Sequence, residues 1–107
     1  MSKYNARKTE IDGFVFDSQA EGRRYSELRL LEKAGEVVDL ELQPKYKIVI
    51  RGKDICTYIA DFRYSLKRPG GYVEVVEDVK GFRTAVYRLK KKLVEATYVI
   101  EITEVTA

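Results

Sequence analysis

The run Tyr58-Ile59-Ala60-Asp61-Phe62-Arg63-Tyr64-Ser65-Leu66, the break Lys67-Arg68-Pro69-Gly70-Gly71, and the run Tyr72-Val73-Glu74-Val75-Val76-Glu77-Asp78-Val79-Lys80-Gly81 together decide the fold. Two β-rich runs around a turn signal read as a hairpin. With Pro69 and Gly70 at the tip, counting back sets Asp61 opposite Asp78, and Lys80 follows on the same face. One face then carries Tyr58, Ala60, Phe62, Tyr64 and Leu66 against Val73, Val75 and Val79. The other carries Asp61, Arg63, Ser65, Glu74, Asp78 and Lys80. A slip of one residue would mix the two faces, so the alternation supports this register. Glu77 is the misfit, an acid on the apolar face.

Two carboxylates held opposite each other repel unless a proton or a cation lies between them. Clustered Asp oxygens suit a hard cation such as Mg²⁺, which takes few protein ligands and keeps several waters. A lysine beside such an ion can help generate or orient a hydroxide for attack on phosphorus. The same residues also fit a plainer reading, in which they are solvated hairpin charges and Lys80 only neutralises Asp78.

At 107 residues the chain is read as a single domain with one modest core. No apolar run is long enough to span a bilayer and no secretory signal is read, so an intracellular chain without membrane contact is expected. The single cysteine, Cys56, excludes an internal disulfide and a multi-cysteine zinc site. The absence of histidine removes Ser-His-Asp and His-Cys nucleophile systems and histidine-ligated metals. Catalysis, if present, must use carboxylates, Lys, Tyr or a metal. The net charge of +3 averages over basic clusters at Lys3–Lys8, Arg23-Arg24, Lys67-Arg68 and Arg83–Lys92. Basic surface around an acidic pocket suits a polyanionic substrate, and a solubilising charged surface fits the charge equally well.

Taken in order, residues 1–10 read as a loosely held basic arm. Asp12-Gly13 is a turn signal before the short apolar run Phe14-Val15-Phe16. A first helix is predicted from Ser18 to Ala34, with Tyr25, Leu28 and Leu31 as its stripe and Gly35 as its stop. Glu21 lies on that stripe. Ser18-x-x-Glu21 is a capping box, so the carboxylate has a local use; pointing toward the hairpin acids is the competing use. Glu36–Gln43 reads as a connection, Pro44 as an edge, Lys45–Ile50 as a strand, and Arg51–Asp54 as a turn. After Gly81, Thr84 is a candidate N-cap for a helix from Ala85 to Ala96 with a buried stripe of Val86, Leu89, Leu93 and Ala96. Tyr98–Val105 alternates as a last strand. The crossover through the second helix predicts a parallel neighbour for the Asp78 strand. The fold class expected is α/β (α+β): a mixed central sheet with an α-β-β-β-α-β core.

Glu21 on the first helix, Asp61 in Tyr-Ile-Ala-Asp-Phe, and Asp78-Val79-Lys80 followed by Gly81 and a basic helix resemble the PD-(D/E)xK nuclease superfamily, in the small form similar to Holliday-junction resolvases and phage-encoded relatives. The resemblance covers most of the chain; its Asp…Asp-x-Lys triplet alone is weak and gains specificity from the hairpin register and element order. Ala60 stands where the family name has Pro, and Asp is the acid before x-Lys; both variations occur in the superfamily. The resemblance implies a restriction-endonuclease-like fold and a Mg²⁺-dependent DNA endonuclease, with Mn²⁺ as a substitute, leaving 5′-phosphate and 3′-hydroxyl ends. It implies Asp61, Asp78 and the Val79 carbonyl as metal ligands, Glu21 as a direct or water-mediated one, and Lys80 as the group that positions or deprotonates water. Gln43 would line the site, and Arg24, Arg83, Thr84, Arg88, Lys90 and Lys91 would meet DNA. A homodimer is expected, since two-fold proteins suit symmetric DNA. The alternatives are a nucleic-acid-binding module without catalysis and a scaffold whose acids hold a structural cation.

Overall fold

The computed structural model describes residues 7–106; the part of the expected arm at residues 1–6 lies outside them. The fold is mixed α+β. In chain order it runs β1 (Thr9–Ile11), β2 (Phe14–Phe16), α1 (Gln19–Lys33), β3 (Val37–Leu42), β4 (Lys45–Ile50), β5 (Lys53–Ile59), β6 (Phe62–Arg68), β7 (Gly71–Lys80), α2 (Ala85–Tyr98) and β8 (Ile102–Thr106). The central sheet has the order β3-β6-β7-β8, antiparallel except for the β7–β8 pair, which is parallel as expected. Strand β1 takes in Thr9 and Glu10, which the sequence assigned to the arm. It pairs with β2 across the Asp12-Gly13 turn and lies on α1. Gly22 permits that approach, because a Cβ there would stand 3.1 Å from Ile11 Cδ1 and 3.3 Å from Thr9 Cγ2.

Both ends of α1 follow from local chemistry. Ser18 Oγ accepts the Glu21 N–H at 3.1 Å. At the other end Gly35 sits at φ +80, with Gly35 N–H on Glu32 O and Glu36 N–H on Leu31 O, a Schellman closure. The buried stripe is Glu21, Tyr25 and Leu28, with Leu31 partly covered.

The β6–β7 register is the expected one: Phe62 faces Glu77, Tyr64 faces Val75, and Arg68 faces Gly71. Three other expectations need correction. First, Glu36–Gln43 is not a connection, because Val37–Leu42 is the edge strand β3. A bulge between Val38 and Glu41, with Asp39 at φ 57, shifts the alternation, so Val37 and then Leu40 and Leu42 turn toward α1.

Second, the Tyr58–Leu66 run is not one strand. It breaks at Ala60-Asp61, where Gln43 opposite takes φ 51 before Pro44. Hydrogen bonds from Gln43 N–H to Asp61 O at 2.9 Å and from Ala60 N–H to Pro44 O at 3.1 Å carry the ladder through the kink. Strands β4 and β5 therefore form a ribbon that continues β3 and β6 in a new direction. Tyr58 and Ala60 consequently pack with Tyr46, Ile48, Val76, Val94 and Ile102 on the α2 side, while Phe62 and Tyr64 pack with Phe16, Tyr25, Leu28 and Val37 on the α1 side.

Third, α2 is rotated from its expected phase and runs on to Tyr98, so the last strand starts at Ile102. Its inward residues are Val94, with Tyr87 and Leu93 partly covered, whereas Val86 and Leu89 of the expected stripe are 64% and 59% exposed. Tyr87 takes the inward place because its ring covers Tyr58 and its hydroxyl reaches Glu104.

Candidate acidic site at the strand kink

Glu21, Asp61 and Asp78 come from three elements, and the kink brings them together. Asp61 stands where β6 begins. Its N–H bonds Glu77 O at 3.1 Å, which takes the residue off the regular ladder. That frees its carboxylate to accept the Val79 N–H at 2.7 Å. So Asp61 sits beside Asp78, as the register expected, through a backbone contact to the next residue.

Asp78 is 1% exposed, and no donor among the described residues makes a hydrogen bond to either carboxylate oxygen. Burying a charged group without partners is costly, and a folded protein relieves that cost with a proton or a cation. Burial pushes the Asp78 carboxyl up to about 6; Lys80 and the nearby Asp61 N–H, itself bonded elsewhere, pull in the other direction without cancelling it. Lys80 Nζ is 4.0 Å from Asp78 Oδ1.

Glu21 approaches Asp61 from the first turn of α1. Burial, then a side-chain hydrogen bond with Asp61 and that neighbour's charge, push the Glu21 carboxyl up to about 8. Two carboxyls at hydrogen-bonding distance hold a proton between them when no cation does so. The carboxylate also accepts the Asp17 N–H at 3.2 Å. The capping box is thus half formed. Ser18 caps the helix as expected, but Glu21 takes Asp17 N–H instead of Ser18 N–H, which leaves its other oxygen for the acid cluster.

Among the described residues no three His, Cys, Asp or Glu groups converge closely enough to form a ready metal cluster. The donor set nevertheless fits a hard cation. All its side-chain atoms are carboxylate oxygens, Asp78 has two buried oxygens without partners, and the Glu21–Asp61 pair is drawn together in a way that asks for positive charge.

Two neighbours of the acidic cluster were not read from the sequence. Lys80 Nζ lies 4.5 Å from the centroid of the Tyr87 ring, a cation–π contact. The Tyr87 hydroxyl donates to Glu104 Oε2 at 2.8 Å. Glu104 lies level with Asp78 in the parallel ladder, and Arg83 Nε holds its other oxygen at 2.8 Å. Only the β7–β8 register reveals Glu104. Tyr87, one turn beyond the Thr84 cap, was visible as a residue but not as a platform.

The residues expected at DNA divide in two. Arg24 is turned inward onto Glu77 and Glu27, Arg83 is paired with Glu104, and Lys91 lies 3.9 Å from Glu95 and 4.0 Å from Glu104. Thr84 Oγ1 is occupied by the Tyr87 N–H at 3.0 Å. Among the described residues Arg88 and Lys90 reach the carbonyls of Arg83 and Thr57 and have no acidic partner. Gln43 is exposed at the kink, with its N–H on Asp61 O.

The model of one family, described as a protein of unknown function (DUF1064), matches residues 1–105. No curated protein and no solved structure matches the chain.

Proposed function

The chain belongs to the DUF1064 family, and we propose that it is a metal-dependent DNA endonuclease of the restriction-endonuclease-like kind, with branched DNA such as a Holliday junction among its candidate substrates. The observation that carries this reading is Asp78: a buried carboxylate with both oxygens unpaired, flanked by Asp61, Glu21 and the Lys80 ammonium. The element order supports it. With the β4–β5 ribbon set aside, the core runs α1-β3-β6-β7-α2-β8, the helix–three strands–helix–strand order of the PD-(D/E)xK nucleases that the sequence resembles.

Asp61, Asp78, the Val79 carbonyl and Glu21 would hold Mg²⁺, or Mn²⁺ in its place. The bound ion supplies charge neutralisation at phosphorus and makes a water more acidic. Lys80, half-buried between Asp78 and the Tyr87 ring, holds a proton near the point of attack and offsets negative charge as it develops. The expected homodimer is carried forward within this proposal, and sedimentation of the purified protein tests it.

A second reading has one observation in its favour. Since no ready-made cluster of three ligands is present among the described residues, a nucleic-acid-binding module on this fold would need no metal. The test compares wild type, Asp78→Asn and Lys80→Ala on a supercoiled plasmid and a four-way junction with Mg²⁺ or Mn²⁺. Cleavage by wild type alone supports the nuclease. Binding of either DNA without cleavage by wild type transfers the reading to the module, and neither activity removes both.

A further inference from the structure

The β4–β5 ribbon is a basic element of the fold, beside the basic surface of α2. It carries Lys45, Lys47, Arg51 and Lys53 against a single acid, Asp54. That surplus equals the +3 of the whole chain. One face of the ribbon is buried: Tyr46 pairs with Tyr58 and Ile48 with Cys56, and these residues pack under α2. The opposite face, with Lys45 beside Ile59 and Lys47 beside Thr57, is exposed. Lys47 is paired with Asp54 at 3.2 Å. Among the described residues Lys45, Arg51 and Lys53 have no acidic partner. Lys90 of α2 adds a fifth positive charge at the β5 edge, where its Nζ meets Thr57 O.

Position gives this charge a direction. The ladder runs unbroken from the ribbon through Pro44–Ala60 and Gln43–Asp61, so the base of the ribbon is the acidic site itself. The six residues of β4 extend roughly 20 Å, about the rise of six base pairs. A two-stranded ribbon also matches the width of a duplex major groove.

We propose that the β4–β5 ribbon is a nucleic-acid-binding arm, whose exposed Lys45, Arg51 and Lys53 follow the phosphate backbone of a DNA duplex and lead it to the acids at the kink. The partner is a polyanion with regularly spaced phosphates, bound without regard to sequence. The inference builds on the nuclease reading for what happens at the kink, but binding to the arm is measured without cleavage.

The experiment uses the full chain, EDTA and a labelled random-sequence DNA duplex, with binding followed by fluorescence anisotropy over a salt series. The test variant is Lys45→Gln/Arg51→Asn/Lys53→Gln. Asn is chosen because Arg51 sits at φ 52, a conformation that Asn tolerates. The control is Lys33→Gln/Lys67→Gln/Arg68→Gln, which removes equal charge from exposed positions outside the ribbon. The slope of log K against log salt is expected to fall by about 2 to 3 in the ribbon variant, with roughly tenfold or greater loss of affinity, while the control stays near wild type. Equal binding by the ribbon variant and wild type overturns the proposal, as does equal loss in the control. If the charges serve only to keep a strand edge from aggregating, the ribbon variant aggregates but its folded fraction binds unchanged, which also overturns it. Wild type that binds through the ribbon yet cuts no DNA with Mg²⁺ removes the nuclease reading and leaves the arm standing.

Discussion

Arg24 and Glu77 meet across the α1–β7 interface in a two-bonded ion pair, Nε to Oε1 at 2.7 Å and Nη2 to Oε2 at 2.9 Å. The Tyr64 hydroxyl donates to the same carboxylate. This answers the misfit of an acid on the apolar face, since Glu77 is satisfied inside the core by a residue one turn from Glu21. The pair therefore ties the helix that carries Glu21 to the strand that carries Asp78. Arg24→Met leaves the buried Glu77 side chain without its cationic partner. Breaking a buried pair costs about 3–5 kcal/mol. Arg24 retains 24% side-chain exposure and Tyr64 still donates, so the lower end, about 3 kcal/mol, is expected. Urea unfolding of Arg24→Met and Glu77→Gln measures it, with Glu77→Gln the milder change. A loss below about 1 kcal/mol in Arg24→Met would mean that apolar contacts alone hold α1 in place.

Asp78 sets an unusual pH dependence for the metal-free protein. Its folded carboxyl is pushed up to about 6 from an ordinary 3.8, so the native state keeps a proton that the unfolded chain has released. Stability therefore falls as pH rises across that interval, the opposite of the usual carboxylate behaviour. Glu21 has the same sign and extends the fall toward about 8. In EDTA the urea midpoint is expected to decline between roughly pH 4 and 8. Asp78→Asn should match wild type at the acid end and exceed it at neutral pH. A wild-type midpoint that is flat or rises over this range would place Asp78 in contact with water.

The parts of this architecture that were legible in the sequence are those where one residue type enforces one local geometry. Ser18 and Gly35 close α1, Thr84 opens α2, and the alternation from Phe62 to Lys80 sets the β6–β7 register and with it the nearness of Asp61 to Asp78. What was missed depends on backbone irregularity or on distant pairing. The bulge at Asp39 reverses the alternation of β3 midway, so its pattern resembles a connection. The turn of the ribbon at Gln43 sends Tyr58 and Ala60 to the other side of the sheet from Phe62, although their spacing suggests one face. The phase of α2 was read from its aliphatic residues, whereas Tyr87 claims the inward position through a hydrogen bond to Glu104. Glu104 became visible only once β7 and β8 were aligned.

Divalent-ion binding should report whether Glu21 is a ligand or only a helix-end group. A cation at the cluster displaces the proton that Glu21 holds with Asp61. Below that group's pKa, each released proton makes apparent affinity rise about tenfold per pH unit. If Glu21 is a ligand, Mg²⁺ affinity is expected to rise by up to about 100-fold between pH 6 and 8, read as a growing thermal shift. Glu21→Gln should flatten that rise, and Asp78→Asn should remove most of the shift. A pH-independent shift in wild type, unchanged by Glu21→Gln, would leave Glu21 as a group serving only the Asp17 N–H.

In the proposed nuclease, Lys80 separates metal binding from chemistry. Its ammonium is held on one side by Asp78 and on the other by the Tyr87 ring, at 4.0 Å and 4.5 Å. Lys80→Met keeps the aliphatic stem and removes the charge. DNA cleavage is expected to fall by about 10²–10⁴, the usual range for a positioned acid–base group. The Mg²⁺ thermal shift should persist or increase, because a cation competing for Asp78 has gone. Tyr87→Phe retains the platform and gives up the bond to Glu104, so cleavage should stay within a few fold while stability falls by about 1 kcal/mol. Tyr87→Leu removes the platform as well. Losing a partly desolvated cation–π contact of about 1–2 kcal/mol should lower cleavage about tenfold, with metal binding intact. Equal cleavage by Tyr87→Leu and Tyr87→Phe would show that Asp78 alone places the ammonium.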